Sequence, residues 1–230
     1  MADRVLQGHP DIALTLRRSA RARRITLRIS SLDGRVTLTM PNHVAEQEAL
    51  DFARQKERWI RKHLATRVED VVVGAGTPLP IEGQLRMIVQ GKGRRVVMTE
   101  DELLVPGGSE AAAARTLGFL KARARDVLAA ACDDYARRLG RPYHGLTLRD
   151  TRSRWGSCSS AGRLMFSWRL ILAPPEVLQY VAAHEVAHLE QMNHSPAFWN
   201  AVTRIHGPYD TQRRWLRTEG NALHRFRFGD

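Results

Sequence analysis

His184 and His188 stand four residues apart in the run His184-Glu185-Val186-Ala187-His188, and this spacing limits the local fold more than any other feature of the chain. On a helix, side chains at i and i+4 lie one above the other. On a strand the same pair would stand about 13 Å apart. Only the helix lets both imidazoles reach one ion. Glu185 then lies about 100° round the helix from His184, beside such an ion rather than on it. The pattern should arise by chance roughly 0.02 times in a chain of this composition. Neutral imidazole is a good zinc ligand. A carboxylate between the two histidines can take the proton of a water that the ion activates. The flanks agree: Pro174 and Pro175 open a helix, Val177, Leu178 and Val181 give it a buried side, and it is predicted to run to about Asn193.

A catalytic zinc usually takes three protein ligands. His194 is the best placed third donor, because Asn193 can end the helix and Ser195-Pro196 caps the next one. His206, Asp210, Glu219 and His224 compete, and Glu219 is the main rival. The His-Glu-x-x-His-x5-His spacing is that of metzincins, but position 191 is Gln where they have Gly, and no Met follows His194. That class is rejected.

The rest of the chain alternates strands with helices. Ile25, Leu27 and Ile29, then Val36, Leu38 and Met40, alternate with polar residues around Asp33-Gly34, which predicts a hairpin. Residues 12–17 add a strand, and one helix is expected over about 45–65. Short strands are expected at 85–90, 95–99 and 102–105, with connectors at 73–78 and 106–108. Leu117, Leu120, Ala124, Leu128, Ala131, Tyr135 and Leu139 form the stripe of a long helix that Gly140 closes. Strands follow at 146–150, 152–158 and 164–170, and a last helix at about 209–223. No internal repeat is visible. The pattern is α+β, with an N-terminal β-rich portion over 1–108 and a second domain over 109–230.

Composition excludes other classes. Two cysteines, Cys132 and Cys158, allow no disulfide framework, no apolar run reaches the ~18 residues of a membrane helix, and the polar start, without an apolar stretch of signal-peptide type, leads us to expect no secretion. A cytoplasmic protein is expected. The formal net charge is +12, which favours anionic partners, including a weak association with nucleic acid. Six arginines (17, 18, 21, 23, 24 and 28) lack the interleaved aromatics of single-strand binders and read as a solvated face. On a strand over 152–158, Arg152 and Arg154 would share the face opposite Trp155 and could hold an anionic substrate group. Cys158, Tyr180 and Trp59, Trp168, Trp199 and Trp215 read as packing residues. Tyr209 and Arg213 are candidates to stabilise an oxyanion.

The chain resembles the YgjP-like metallopeptidases, relatives of the SprT-like and WLM zinc proteases. The resemblance rests on Arg152-Ser153-Arg154-Trp155-Gly156-Ser157-Cys158, on residues 168–174 and 180–188, and on Asn193-His194-Ser195-Pro196-Ala197-Phe198-Trp199. It is looser in the N-terminal half, through the Arg-rich hairpin and Lys56, Trp59 and Ile60. It implies a minimal zincin-like C-terminal domain, one zinc per chain on His184, His188 and His194, and Glu185 as catalytic base. The expected substrate is a peptide or protein. Some members carry a UTP pyrophosphatase label, so a nucleoside triphosphate is the alternative. A DNA-associated SprT-like protease or binding protein is a third reading.

Overall fold

The computed structural model describes residues 2–30, 33–65 and 69–229. The chain separates into two compact units, Met1–Glu69 and Asp70–Asp230. In the first, strands β1 (Ala2–Leu6), β2 (Ile12–Arg18), β3 (Thr26–Ile29) and β4 (Val36–Met40) form one sheet in the order β1-β2-β4-β3. The expected hairpin is present, since β3 and β4 pair antiparallel with Ile29 opposite Val36; Ser31 and Leu32 of its loop lie outside the described residues. Ile12, Leu14, Leu16, Val36 and Leu38 turn one face of this sheet into a core. Helices α1 (Glu46–Gln55) and α2 (Glu57–Ala65) add Ala53 and Ile60 to it. The single helix expected over 45–65 is broken at Lys56, whose backbone leaves helical values at φ −96° and ψ 4°. Trp59, read as a core or half-buried packing residue, is exposed. Arg18 donates to the carbonyls of Asn42 and Val44 before α1, while Arg17, Arg21, Arg23, Arg24 and Arg28 are exposed.

The second unit opens with β5 (Val71–Val72) and a sheet of β6 (Pro78–Ile81), β7 (Gln84–Gly91), β8 (Val97–Met98) and β9 (Glu102–Pro106). Helix α3 (Ser109–Leu139) follows and ends at Gly140 in the left-handed conformation, φ 72°. The boundary expected at 108–109 is therefore misplaced. Leu79, Ile81, Ile88, Leu103 and Val105 share one core with Leu120, Ala124 and Leu128 of α3, so Pro106-Gly107-Gly108 is a corner inside the unit. The division falls after Glu69 instead.

A third sheet has the order β10-β12-β11, from β10 (Gly145–Arg149), β11 (Gly156–Cys158) and β12 (Arg163–Ser167). All three larger sheets share a device that the sequence does not reveal as a repeat. One strand lies parallel to the next but one, and the strand between them in sequence takes the outer edge, antiparallel. The strand expected over 152–158 shrinks to 156–158, because Thr151 Oγ1 donates to the Arg154 carbonyl at 2.8 Å and folds 151–154 into a bend. Residues 168–170, expected to extend β12, lie in a 3-10 turn, Trp168–Leu172. Every one of its five residues is buried, whereas a strand facing one core would bury alternate residues.

Helices α4 (Pro175–Ala187), α5 (Pro196–His206) and α6 (Asp210–Thr218) complete the unit, with a 3-10 turn at Gly220–Arg225 and β13 (Phe226–Arg227). The 3-10 turn replaces the end of the helix expected over 209–223. β13 pairs with β5, so the unit's first and last strands meet. Arg169, 6% exposed, fastens this end. It donates twice to Asp150 at 2.7 and 3.1 Å, and to the carbonyls of Leu223 and Phe226 at 3.1 and 3.0 Å. Burial raises the Asp150 carboxyl, but the Arg169 hydrogen bonds and charge outweigh it, and the group sits below its ordinary value.

His224 is buried beside these cations. Burial, then the charge of Arg169, pulls its pKa down to about 4, with Arg152 and Arg227 adding to the shift and Asp150 opposing it. The unfolded chain takes this proton near pH 6.5 and the folded chain only near 4, so stability must fall as pH drops through that window. The loss assigned to His224 is on the order of 3 kcal/mol. His184, His188 and His206 are also lowered by burial and act in the same direction. The melting temperature of the metal-free chain should fall between pH 7 and 4.5, and His224→Phe should flatten that fall. An unchanged slope in the variant would assign the effect to the other three histidines.

Candidate metal centre

Helix α4 is apolar on most of its surface: Val177, Leu178, Val181, Ala182, Ala183, Val186 and Ala187 are all buried. His184, Glu185 and His188 are the polar groups at its C-terminal end. The helix stops at Ala187 rather than at Asn193, and two tight turns follow, Leu189 N–H to Val186 O at 2.9 Å and Glu190 N–H to Ala187 O at 3.1 Å. This early stop completes the site. Had the helix continued, position 194 would stand about 15 Å along the axis from position 184. Instead the Asn193 side chain accepts from Ser195 N–H at 3.2 Å, Ser195 caps α5, and His194 turns back. Its Nε2 lies 3.1 Å from Nε2 of His184.

One ligand atom from each of His184, His188 and His194 lies within 4.8 Å of the others. The donor set suits a metal that prefers nitrogen. Burial, then the neighbouring His188 and His194, holds His184 down to about 3, so it is neutral near pH 7. Burial also lowers His188. His188 Nδ1 lies 2.9 Å from the Gln191 carbonyl, which can only accept. Nδ1 therefore carries the proton and Nε2 keeps its lone pair for an ion. Among the described residues this is the one group of three or more candidate ligands. Glu219, His206, Asp210 and His224 are not in it.

Aromatic rings wall the cluster. Phe198, fully buried, packs on His184, His188 and His194 with ring centroids 4.9, 4.5 and 4.8 Å away. Trp199 stacks on His194 and Tyr209 on Trp199, at 5.7 and 5.2 Å. The Arg213 guanidinium lies 4.6 Å over the Trp199 ring. Tyr180, buried as expected, also meets His184 edge-on and stacks on Tyr209. Phe198, the Gln191 carbonyl and the stack of Arg213 on Trp199 are not singled out by spacing. Phe198 is three residues after the Ser195 cap, and its N–H donates the capping bond to Ser195 Oγ at 3.4 Å.

Glu185 stands outside the histidine group and is 6% exposed. Burial pushes its carboxyl up to about 7, and the positive charge of Arg154 opposes that. Cys158 is raised to about 11 by burial and then by Glu185, so it remains a thiol. The expectation that Arg152 and Arg154 share a strand face fails with the strand. Arg154 acts on Glu185. Arg152 acts on Asp150 and His224, and lines a separate cavity of about 160 Å³ with Lys121 and Arg227.

Residues 23–219 match the family model described as YgjP-like, metallopeptidase domain. The chain belongs to that family. It is a hydrolase of the metallopeptidase type. No curated protein matches this YgjP-like chain. Among solved structures it is similar to the metallopeptidase zymogen of Pyrococcus abyssi abylysin, at 21% identity and a TM-score of 0.35, over 42% of this chain and 95% of that one. No helix among the described residues is long and apolar enough to cross a membrane.

Metal analysis of the dialysed protein tests the cluster. His194→Ala is expected to lose most of its bound zinc, and Glu219→Ala to keep it. The reverse pattern would make Glu219 the third ligand.

Proposed function

We propose that this YgjP-like chain cleaves peptide bonds with one zinc ion per chain, held by His184, His188 and His194, and with Glu185 as general base. The observation that carries the reading is the convergence of three imidazoles beside a separate buried carboxylate. When bound, the ion supplies Lewis acidity, polarising the scissile carbonyl and acidifying water. The chain's own groups do the rest. The imidazoles bind through their lone pairs, and the Gln191 carbonyl orients His188. Phe198 closes one side of the cluster to solvent. The Glu185 carboxylate takes a proton from the attacking water and passes it to the leaving amine. Its raised pKa suits both transfers near neutral pH. Arg154, exposed and near enough for its charge to act on Glu185, is the substrate-facing cation, and Arg152 is set among other charges.

Neither the site nor the family favours a nucleoside triphosphate or a nucleic acid as substrate. The one candidate metal group among the described residues holds no carboxylate of the kind a magnesium site needs.

Casein and unstructured peptides are the substrates to try with zinc-loaded protein. Glu185→Gln keeps the shape of the side chain and removes the proton acceptor. It should bind zinc and melt like the parent, yet lose ~10²–10⁴-fold in turnover. Full activity in this variant would mean that the zinc is structural or that hydrolysis arises elsewhere. Arg154→Ala is expected to raise KM with little change in melting temperature, and Arg152→Ala to leave KM near the parent value. Equal effects from the two arginines would contradict their separation.

A further inference from the structure

Glu185 has no room to spare on one side. A Cβ built on Gly156 would stand 2.6 Å from its Cγ, 2.6 Å from Oε1 and 2.8 Å from Cδ. Real Cβ contacts are not that short, so a side chain at position 156 requires the buried Glu185 carboxylate to shift from its place. The glycine is not demanded by its backbone, because Gly156 is not among the positive-φ residues of the chain. It is demanded by the carboxylate lying across its Cα.

The preceding residue is held in a matching way. The Trp155 indole covers Gly220, where a Cβ would meet ring atoms at 3.1, 3.4 and 3.5 Å. Gly220 too has no positive φ. Trp155 also packs on His224, with ring centroids 5.2 Å apart. The turn that carries Gly220 and His224 is tied to the unit by Arg169, through the Leu223 and Phe226 carbonyls. On the other side, the Trp155 carbonyl accepts from Ser167 N–H at 2.8 Å, and Gly156 pairs with Phe166. Two glycines of ordinary conformation, each filled by a neighbour's side chain, thus form a chain of contacts from the C-terminal turn through Trp155 to Glu185.

We propose that Trp155-Gly156 is the element that positions the Glu185 carboxylate, with Gly156 as the cradle and the Gly220–Arg225 turn as its remote anchor. Gly156 touches no reacting atom; it acts through Glu185, and the assignment rests on Glu185 being the proton acceptor proposed above. This gives the Trp-Gly-Ser-Cys run a role in placing a carboxylate, beyond that of a packed hairpin.

Two double-variant cycles test the proposal. The first needs neither metal nor substrate. In metal-free full-length protein, Gly156→Ala should lower the melting temperature by about 3 °C or more, from overpacking. In a Glu185→Ala background the same change should cost almost nothing, because the crowding atoms are gone. An equal loss in both backgrounds would overturn the contact. The second cycle reads turnover on a peptide with zinc-loaded protein. Gly156→Ala should lower kcat at least ~10-fold with KM and zinc content near the parent values, and should add no further loss to Glu185→Gln. Losses that multiply would mean Gly156 acts independently of Glu185. Gly220→Ala should lower kcat in the same non-additive way, to a smaller extent. Peptide inactivity of the parent would sink the metallopeptidase reading and leave the melting cycle to decide the contact by itself.

Discussion

Burial of α4 almost all round is the constraint on which the second unit is built. A helix that hides nine of its thirteen residues cannot lie on a surface; it must find a neighbour on every side. Helices α3, α5 and α6 and strand β11 supply those neighbours. The polar groups it carries are then confined to the end where the helix stops. Each is placed there by something specific: His188 bonds the Gln191 carbonyl, His184 Nε2 meets Nε2 of His194, and Glu185 lies in the gap over Gly156. An isolated polar group in such a place is costly, so the site and the packing around it are one problem.

The electrostatics of the centre follow from the same burial. Low exposure keeps His184 neutral and raises Glu185, which leaves lone pairs for an ion and a carboxyl able to both accept and release a proton. Aromatic faces pack on the imidazoles, and the cations whose charge reaches His184 and Glu185, Arg213 and Arg154, are exposed. The net charge of the whole chain has little part in this arrangement.

Much of this was legible in the sequence, because local rules govern it. The helical i,i+4 pair, the Ser195-Pro196 cap, the Gly140 stop and the β3–β4 hairpin each depend on a few neighbouring residues, and each is present. What the sequence hides is long-range. The end of α4 at Ala187 and the tight turns after it are marked by no Gly or Pro in 188–193. The bend at 151–154 depends on the Thr151 side chain bonding to the Arg154 carbonyl, after Asp150 is held by Arg169, and it parts Arg152 from Arg154. The corner at 106–108 looks like a boundary until the core shared by β6, β7, β9 and α3 is seen. Gly156 and Gly220 are silent in sequence because their reason lies in residues tens of positions away.

The pairing of β5 with β13 sets an order on synthesis. Phe226 lies opposite Val71, so the second unit closes on its own first strand only once residues 226–227 have been made. Domains generally fold from the N-terminal side as they emerge, and the first unit can do so with its own sheet and core. The second must wait. Until residues 220–227 are free of the exit tunnel, Arg169 lacks its two carbonyls, Trp155 lacks its floor, and the support behind Glu185 is incomplete. The nascent chain can form the α4 helix and gather its histidines before residues 220–227 are made, but the finished arrangement follows them.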